Sequence, residues 1–108
     1  MDRPVIIVSA APDEAIADRI AAALVEEGLA AAVHVRAVRS RYRWKGEIVA
    51  GVEHVLDIYS SAGRLEAVTA RIAALHPYEM PGVHMVEVAG GPEPYLRWIA
   101  SAGAAPAA

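Results

Sequence analysis

The stretch Ser40-Arg41-Tyr42-Arg43-Trp44-Lys45-Gly46 alternates serine and aromatic residues with cations. Successive side chains of a β-strand point to opposite faces, so a strand here carries one aromatic face and one cationic face. Upstream, Leu29 to Val35 is small and β-branched and enters the same strand, which runs to about Ile48. Downstream, Val52 to Tyr59 reads as its partner. A connection Val49-Ala50-Gly51 fits the three-residue hairpin class that ends on a left-handed residue, with Gly51 in that position. That register sets Ile48 opposite Val52, Trp44 opposite Leu56, Tyr42 opposite Ile58, Arg43 opposite Asp57 and Arg41 opposite Tyr59. Each such pair would stabilise the ladder by ~0.2–1 kcal/mol, against one like-charge contact, Glu47 facing Glu53.

The segments around this hairpin supply the other elements. Val5-Ile6-Ile7-Val8 is a continuous apolar run, the pattern of a central strand covered on both faces. Pro12-Asp13-Glu14 suits the first turn of a helix, where proline lacks no needed donor and acids meet the positive end of the dipole. Ile16, Ile20 and Leu24 form its apolar stripe, and Gly28 its stop. Ser60 or Ser61 can cap a second helix with Leu65, Val68, Ile72 and Leu75 on one face, ended before Pro77. Val83 to Val88 reads as a fourth strand. Pro94 opens a short helix from Tyr95 to about Ser101. The order βαββαβ plus a terminal helix predicts an α+β, ferredoxin-like domain with an antiparallel sheet and a long β2-β3 hairpin. Both main helices then cover one sheet face, and the other, apolar along the first strand, calls for an oligomeric partner. Residues 1–102 form the domain, and 103–108, alanine and proline after a glycine, a disordered tail.

Composition narrows the function. At 108 residues this is one domain with a thin core. There is no cysteine, which excludes disulfides and thiolate ligands. The net charge of -3 argues against nucleic acid as a partner, although Arg36, Arg39, Arg41, Arg43 and Lys45 crowd into one short window. No run is long enough for a membrane span, and the start does not read as a signal peptide, so the expected compartment is the cytoplasm.

No nucleophile elbow or phosphate-binding glycine loop is present, and the reading is of a protein that is not an enzyme. His34, His54, His76 and His84 occur singly, without the spacing of a ligand pair, and a lone histidine is more often a hydrogen-bonded or surface residue than a ligand. The cationic face has an ordinary explanation as a solvated strand edge, and a functional one as a contact with a neighbouring subunit or a small anion. His76, Tyr78, Tyr95 and Trp98 are amphipathic side chains that could line a cleft or simply pack at the core's margin.

Ala11-Pro12-Asp13-Glu14, Leu24-Val25-Glu26-Glu27-Gly28-Leu29-Ala30-Ala31, Ser40 to Gly46, His76-Pro77-Tyr78-Glu79-Met80-Pro81 and Tyr95-Leu96-Arg97-Trp98-Ile99 resemble, in order and spacing, the CutA divalent-cation tolerance proteins. The resemblance covers about Val5 to Ile99. It implies a homotrimer with an architecture like the PII signalling proteins, and a role in tolerance of divalent metals, copper especially. It places the ligand-binding cleft between subunits at Tyr42, Trp44, His76, Tyr78, Tyr95 and Trp98, with Arg41 and Arg43 beside it. The pattern departs at Ala32 for the family's cysteine, at His34 for its asparagine, at Ala10 for threonine, at Tyr59-Ser60 for Lys-Thr, and at Gly82 for glutamate. The Pro-Gly kink of the long second strand is also missing. Thiolate copper binding is therefore out, leaving histidine, carboxylate and Met85 as donors, with His34 and His76 the candidate metal residues. No cofactor is required, and a divalent cation such as Cu(II) is the ligand implied. The alternatives are a PII-like sensor of a small anionic metabolite at the clefts, or a trimeric scaffold.

Overall fold

The computed structural model describes residues 2–104. Four strands, β1 (Pro4–Ala11), β2 (Ala32–Trp44), β3 (Glu47–Ser61) and β4 (Val83–Glu87), form one antiparallel sheet in the order β2-β3-β1-β4. The helices are α1 (Glu14–Glu26), α2 (Leu65–Leu75) and α3 (Glu93–Ala100). This is the expected ferredoxin-like βαββαβ arrangement with a short terminal helix.

Each element follows from its local chemistry. Along β1, Val5, Ile7, Ser9 and Ala11 are buried toward the helices, while Ile6, Val8 and Ala10 alternate with them on the open side. The Asp13 carboxylate accepts the Ile16 N–H at 2.8 Å, capping α1 one residue after Pro12. Gly28, at φ 72°, ends the helix as read, with the Leu29 N–H returning to the Leu24 carbonyl at 2.9 Å. Ala17, Ile20 and Leu24 of α1 and Val68 and Ile72 of α2 meet Leu56 and Ile58 of β3 in a fully buried core. Burying each of the larger side chains contributes about 1.5–3 kcal/mol.

The cap expected for α2 is not formed. Neither Ser60 nor Ser61 caps α2, because β3 continues through Ser61 and a 3-10 turn, Ala62–Arg64, intervenes. The donor at this corner is met from elsewhere: the Asp2 carboxylate accepts the Gly63 N–H at 2.8 Å. Ser60 instead donates to the Leu29 carbonyl at 2.6 Å.

The hairpin register is the larger correction. The chain reverses at Lys45-Gly46, not at Val49-Ala50-Gly51, so that Trp44 faces Glu47 and Val33 faces Ile58. Lys45 and Gly46 have φ values of 47° and 81°, the two positive values that a type I′ turn requires. Gly51 lies within the ladder opposite Ser40. Arg36, not Arg43, faces the neighbourhood of Asp57 and donates to it at 3.0 Å, and Glu47 and Glu53 are not opposite one another. The reason is core burial together with turn geometry. This register lays Val33 and Val35 beside Ile58 and Leu56 on the helix side, whereas the expected one would have spent those core positions on Tyr42 and Trp44, which remain 37% and 41% exposed.

Because β1 ends opposite His54, the outer part of the hairpin projects as a two-stranded ribbon. The molecule is accordingly elongated, 53 × 25 × 21 Å. Gly103 closes the end of α3, its N–H donating to the Trp98 carbonyl at 2.8 Å, and the remainder of the expected tail, residues 105–108, lies outside the described residues.

Candidate functional site

The alternation of the ribbon places Ser40, Tyr42 and Trp44 on the sheet face turned away from the helices. Glu53 of β3 shares that face, and Ser40 Oγ donates to its Oε1 at 2.7 Å, holding the carboxylate in place. Arg39, Arg41 and Arg43 occupy the opposite face, so Arg41 and Arg43 do not line the same surface as Tyr42 and Trp44. Arg41 instead borders a shallow depression with Arg39, Ala50 and Val52.

The loop between α2 and β4 closes over the aromatic face. Pro77 ends α2, and His76 adopts an extended conformation, φ -93° and ψ 137°. His76 is 7% exposed, and its two ring nitrogens are both engaged. Nδ1 accepts the Tyr78 N–H at 3.1 Å, which puts the proton on Nε2, and Nε2 donates to the Ala10 carbonyl at 2.6 Å. At the loop's far end Ser9 Oγ donates to the Gly82 carbonyl at 2.8 Å. The loop is thus pinned to the end of β1 on both sides, and the Tyr78 ring rests against His76 with centroids 4.6 Å apart.

Between loop and ribbon lies a cavity of about 390 Å³ lined by Tyr42, Trp44, Glu53, Tyr78, Glu79 and Met80, with Gly82 at its edge. Burial first, and then the neighbouring Tyr42 and Glu53, push the Tyr78 phenol pKa up, because each disfavours a phenolate there. Lys45 stands at the rim, 3.3 Å from Glu79 and 5.8 Å from the centre of the Trp44 ring.

Tyr95 and Trp98 of α3 are not part of this cavity. They stack on each other at 5.8 Å, and Trp98 borders a wider depression with Asp2, Arg64, Glu93 and Arg97 at the opposite end of β1. Within one chain the six aromatic and histidine cleft residues therefore fall into two groups. His34 lies on the open sheet face, its ring 4.8 Å from Tyr59 and its backbone opposite Asp57. Among the described residues no group of three or more His, Asp or Glu is placed to hold a metal ion.

Glu53, Glu79 and Met80 were not singled out as cleft residues from the sequence. The signal was there for Glu53: in the correct register it falls on the face of Tyr42, two positions along the ladder from Gly51. Glu79 and Met80 sit inside the His-Pro-Tyr segment, where only the closure of the loop gives them a partner surface.

A ferredoxin-like sheet with a projecting hairpin ribbon and an aromatic cleft along one of the ribbon's faces is the class this chain's fold defines. The same fold is found in the divalent cation tolerance protein of Thermus thermophilus, with a TM-score of 0.87 at 34% identity, covering 94% of this chain and 99% of that one. It is found also in the periplasmic divalent cation tolerance protein CutA of Archaeoglobus fulgidus, with a TM-score of 0.85 at 29% identity, covering 89% and 94%. In sequence, the chain is 38% identical over 95 residues to the Divalent-cation tolerance protein CutA of Thermus thermophilus, 87% of this chain and 92% of that protein. The profile of the CutA1 divalent ion tolerance proteins matches residues 5–102. The chain belongs to the CutA1 divalent ion tolerance protein family.

Proposed function

We propose that this protein serves in the response to divalent cations, copper among them, by binding rather than by catalysis, and that it does so as a homotrimer. The observation that carries the reading is the family match across residues 5–102, nearly the whole folded chain. Two features of the chain support its details. His76, the buried imidazole beside the cleft, has both nitrogens committed to backbone groups, so its chemistry there is bracing rather than proton transfer. The open sheet face presents Ile6, Val8, Val38, Val55 and Val86 among the polar His34, Arg36, Glu53, Asp57 and His84, a mixed surface suited to a second copy of the sheet.

A metal site built on this chain would be shared between copies. His34, Asp57, Val8 and His84 lie in one row across the four strands, which puts the two histidines about 14 Å apart at about 4.8 Å per strand. That span is too wide for one ion, and a neighbouring copy must bring further donors to His34. The Asp57 carboxylate beside it is already engaged by Arg36. Titration calorimetry with Cu(II) and Zn(II), on the wild type and on His34→Ala, tests the binding half of the proposal: saturable binding abolished by the substitution supports it, and no binding by the wild type overturns it. Light scattering tests the assembly, and a monomeric mass at micromolar concentration overturns the trimer.

A further inference from the structure

We propose that the cavity between the hairpin ribbon and the His76–Gly82 loop is a binding site for a small methylated organic ammonium ion. Three aromatic rings, Tyr42, Trp44 and Tyr78, and two carboxylates, Glu53 and Glu79, surround about 390 Å³ of space, and no cationic side chain is among the lining residues. Aromatic faces carry negative electrostatic potential and attract cations that shed water easily, and carboxylates supply the countercharge. Hard divalent ions demand six or more oxygens, and a Cu(II) or Zn(II) site gathers three or more imidazole, thiolate or carboxylate donors on one point, a grouping that is absent among the described residues. A ring-walled cavity offers neither set, whereas a methylated ammonium fits its chemistry and its size.

A second observation points the same way. The chain's own Lys45 ammonium stands at the rim, 5.8 Å from the Trp44 ring centre and 3.3 Å from Glu79, so a primary ammonium already uses one ring face and one carboxylate of this set. The walls are also held in advance. Ser40 fixes Glu53, His76 holds the Tyr78 backbone and ring, and Ser9 anchors Gly82, so the site needs little ordering when a ligand enters. The inference concerns this cavity alone and does not rest on the metal reading, since His34 is not among its lining residues.

The test is titration calorimetry of the full chain with choline and with 3,3-dimethylbutan-1-ol, its neutral carbon analogue of the same shape. Choline is expected to bind about tenfold more tightly than the alcohol, the ratio that ~1.4 kcal/mol of cation–ring and charge attraction gives. Trp44→Ala and Glu53→Gln should each weaken choline binding severalfold. Lys45→Asn removes the resident ammonium while keeping a residue that tolerates positive φ, and should tighten choline binding, a gain that misfolding cannot imitate. Equal affinity for choline and the alcohol, or no saturable binding of choline by either wild type or Lys45→Asn, overturns the proposal. Displacement of choline by Cu(II) in direct competition would make the cavity a metal site and overturn it as well, whereas Cu(II) binding that Trp44→Ala leaves unchanged keeps the two sites separate.

Discussion

Replacing His76 with phenylalanine keeps a planar ring of similar size while deleting both of its hydrogen bonds. The residue is 7% exposed, so water does not readily replace what is lost. The Tyr78 N–H, 3.1 Å from Nδ1, loses its acceptor, and the Ala10 carbonyl, 2.6 Å from Nε2, loses a donor. Leaving a buried polar group unsatisfied costs about 1–3 kcal/mol, so two partly buried groups together should cost about 2–4 kcal/mol. That is a large share of the roughly 5–15 kcal/mol by which small domains are stable. Urea unfolding at fixed protein concentration should show the midpoint falling with the slope unchanged, since the surface exposed on unfolding is the same. Hydrogen exchange separates local from global effects: the Tyr78 amide should lose protection by far more than the amides of β1. A stability loss below about 0.5 kcal/mol, or an unchanged Tyr78 amide, would refute the assignment of His76 as the brace of this loop.

Three further outcomes test the hairpin and the N-terminal corner. Gly46→Ala should cost about 1–2 kcal/mol, because a side chain at φ 81° is strained even though no atom lies within 4 Å of its Cβ, whereas Gly51→Ala should be neutral or slightly stabilising. Chemical denaturation of the two variants compares them directly, and the reverse order would restore the turn to Val49-Ala50-Gly51. A double-mutant cycle should find Arg36 and Asp57 coupled and Arg43 and Asp57 uncoupled, with the first coupling fading as salt is raised. Asp2 has its carboxyl held below the usual value of 3.8, chiefly by the Arg3 and Gly63 N–H groups. A lowered folded pKa gives stability that is present above the unfolded value and is lost as pH falls through the folded one. The difference in stability between wild type and Asp2→Asn should therefore be constant above about pH 4 and shrink below it, and a difference independent of pH would remove Asp2 from this role.

Much of this molecule was legible from the residues because most of its elements are specified locally. The apolar run Val5 to Val8, the stripe of Ile16, Ile20 and Leu24, the stops at Gly28 and Pro77, and the period-two alternation of Ser40 to Trp44 each state a preference within a few residues. The two-faced ribbon is present with its aromatic and cationic sides separated, as the alternation predicts. The order of elements, the ferredoxin-like fold and the family resemblance follow from such local statements taken in sequence.

The pairing of the two long strands is a different kind of quantity. Their alternation is satisfied by many registers, and the outer ribbon, lying beyond β1, has no buried face to select one. Two glycine-containing segments could each make the turn. What decided between them was distant: Val33 and Val35 had to sit beside Ile58 and Leu56 over α1, and Lys45-Gly46 had to adopt the twisted turn that joins strands in that register. That choice moved Tyr42 and Trp44 off the core side and onto the open face, where the loop pinned by His76 could bring Tyr78 and Glu79 against them. The residues of Ser40 to Gly46 thus determined by themselves that there would be an aromatic face and a cationic face. Only the tertiary structure decided which face the core would leave free, because burial is a property of the whole sheet and not of the strand that carries the side chains.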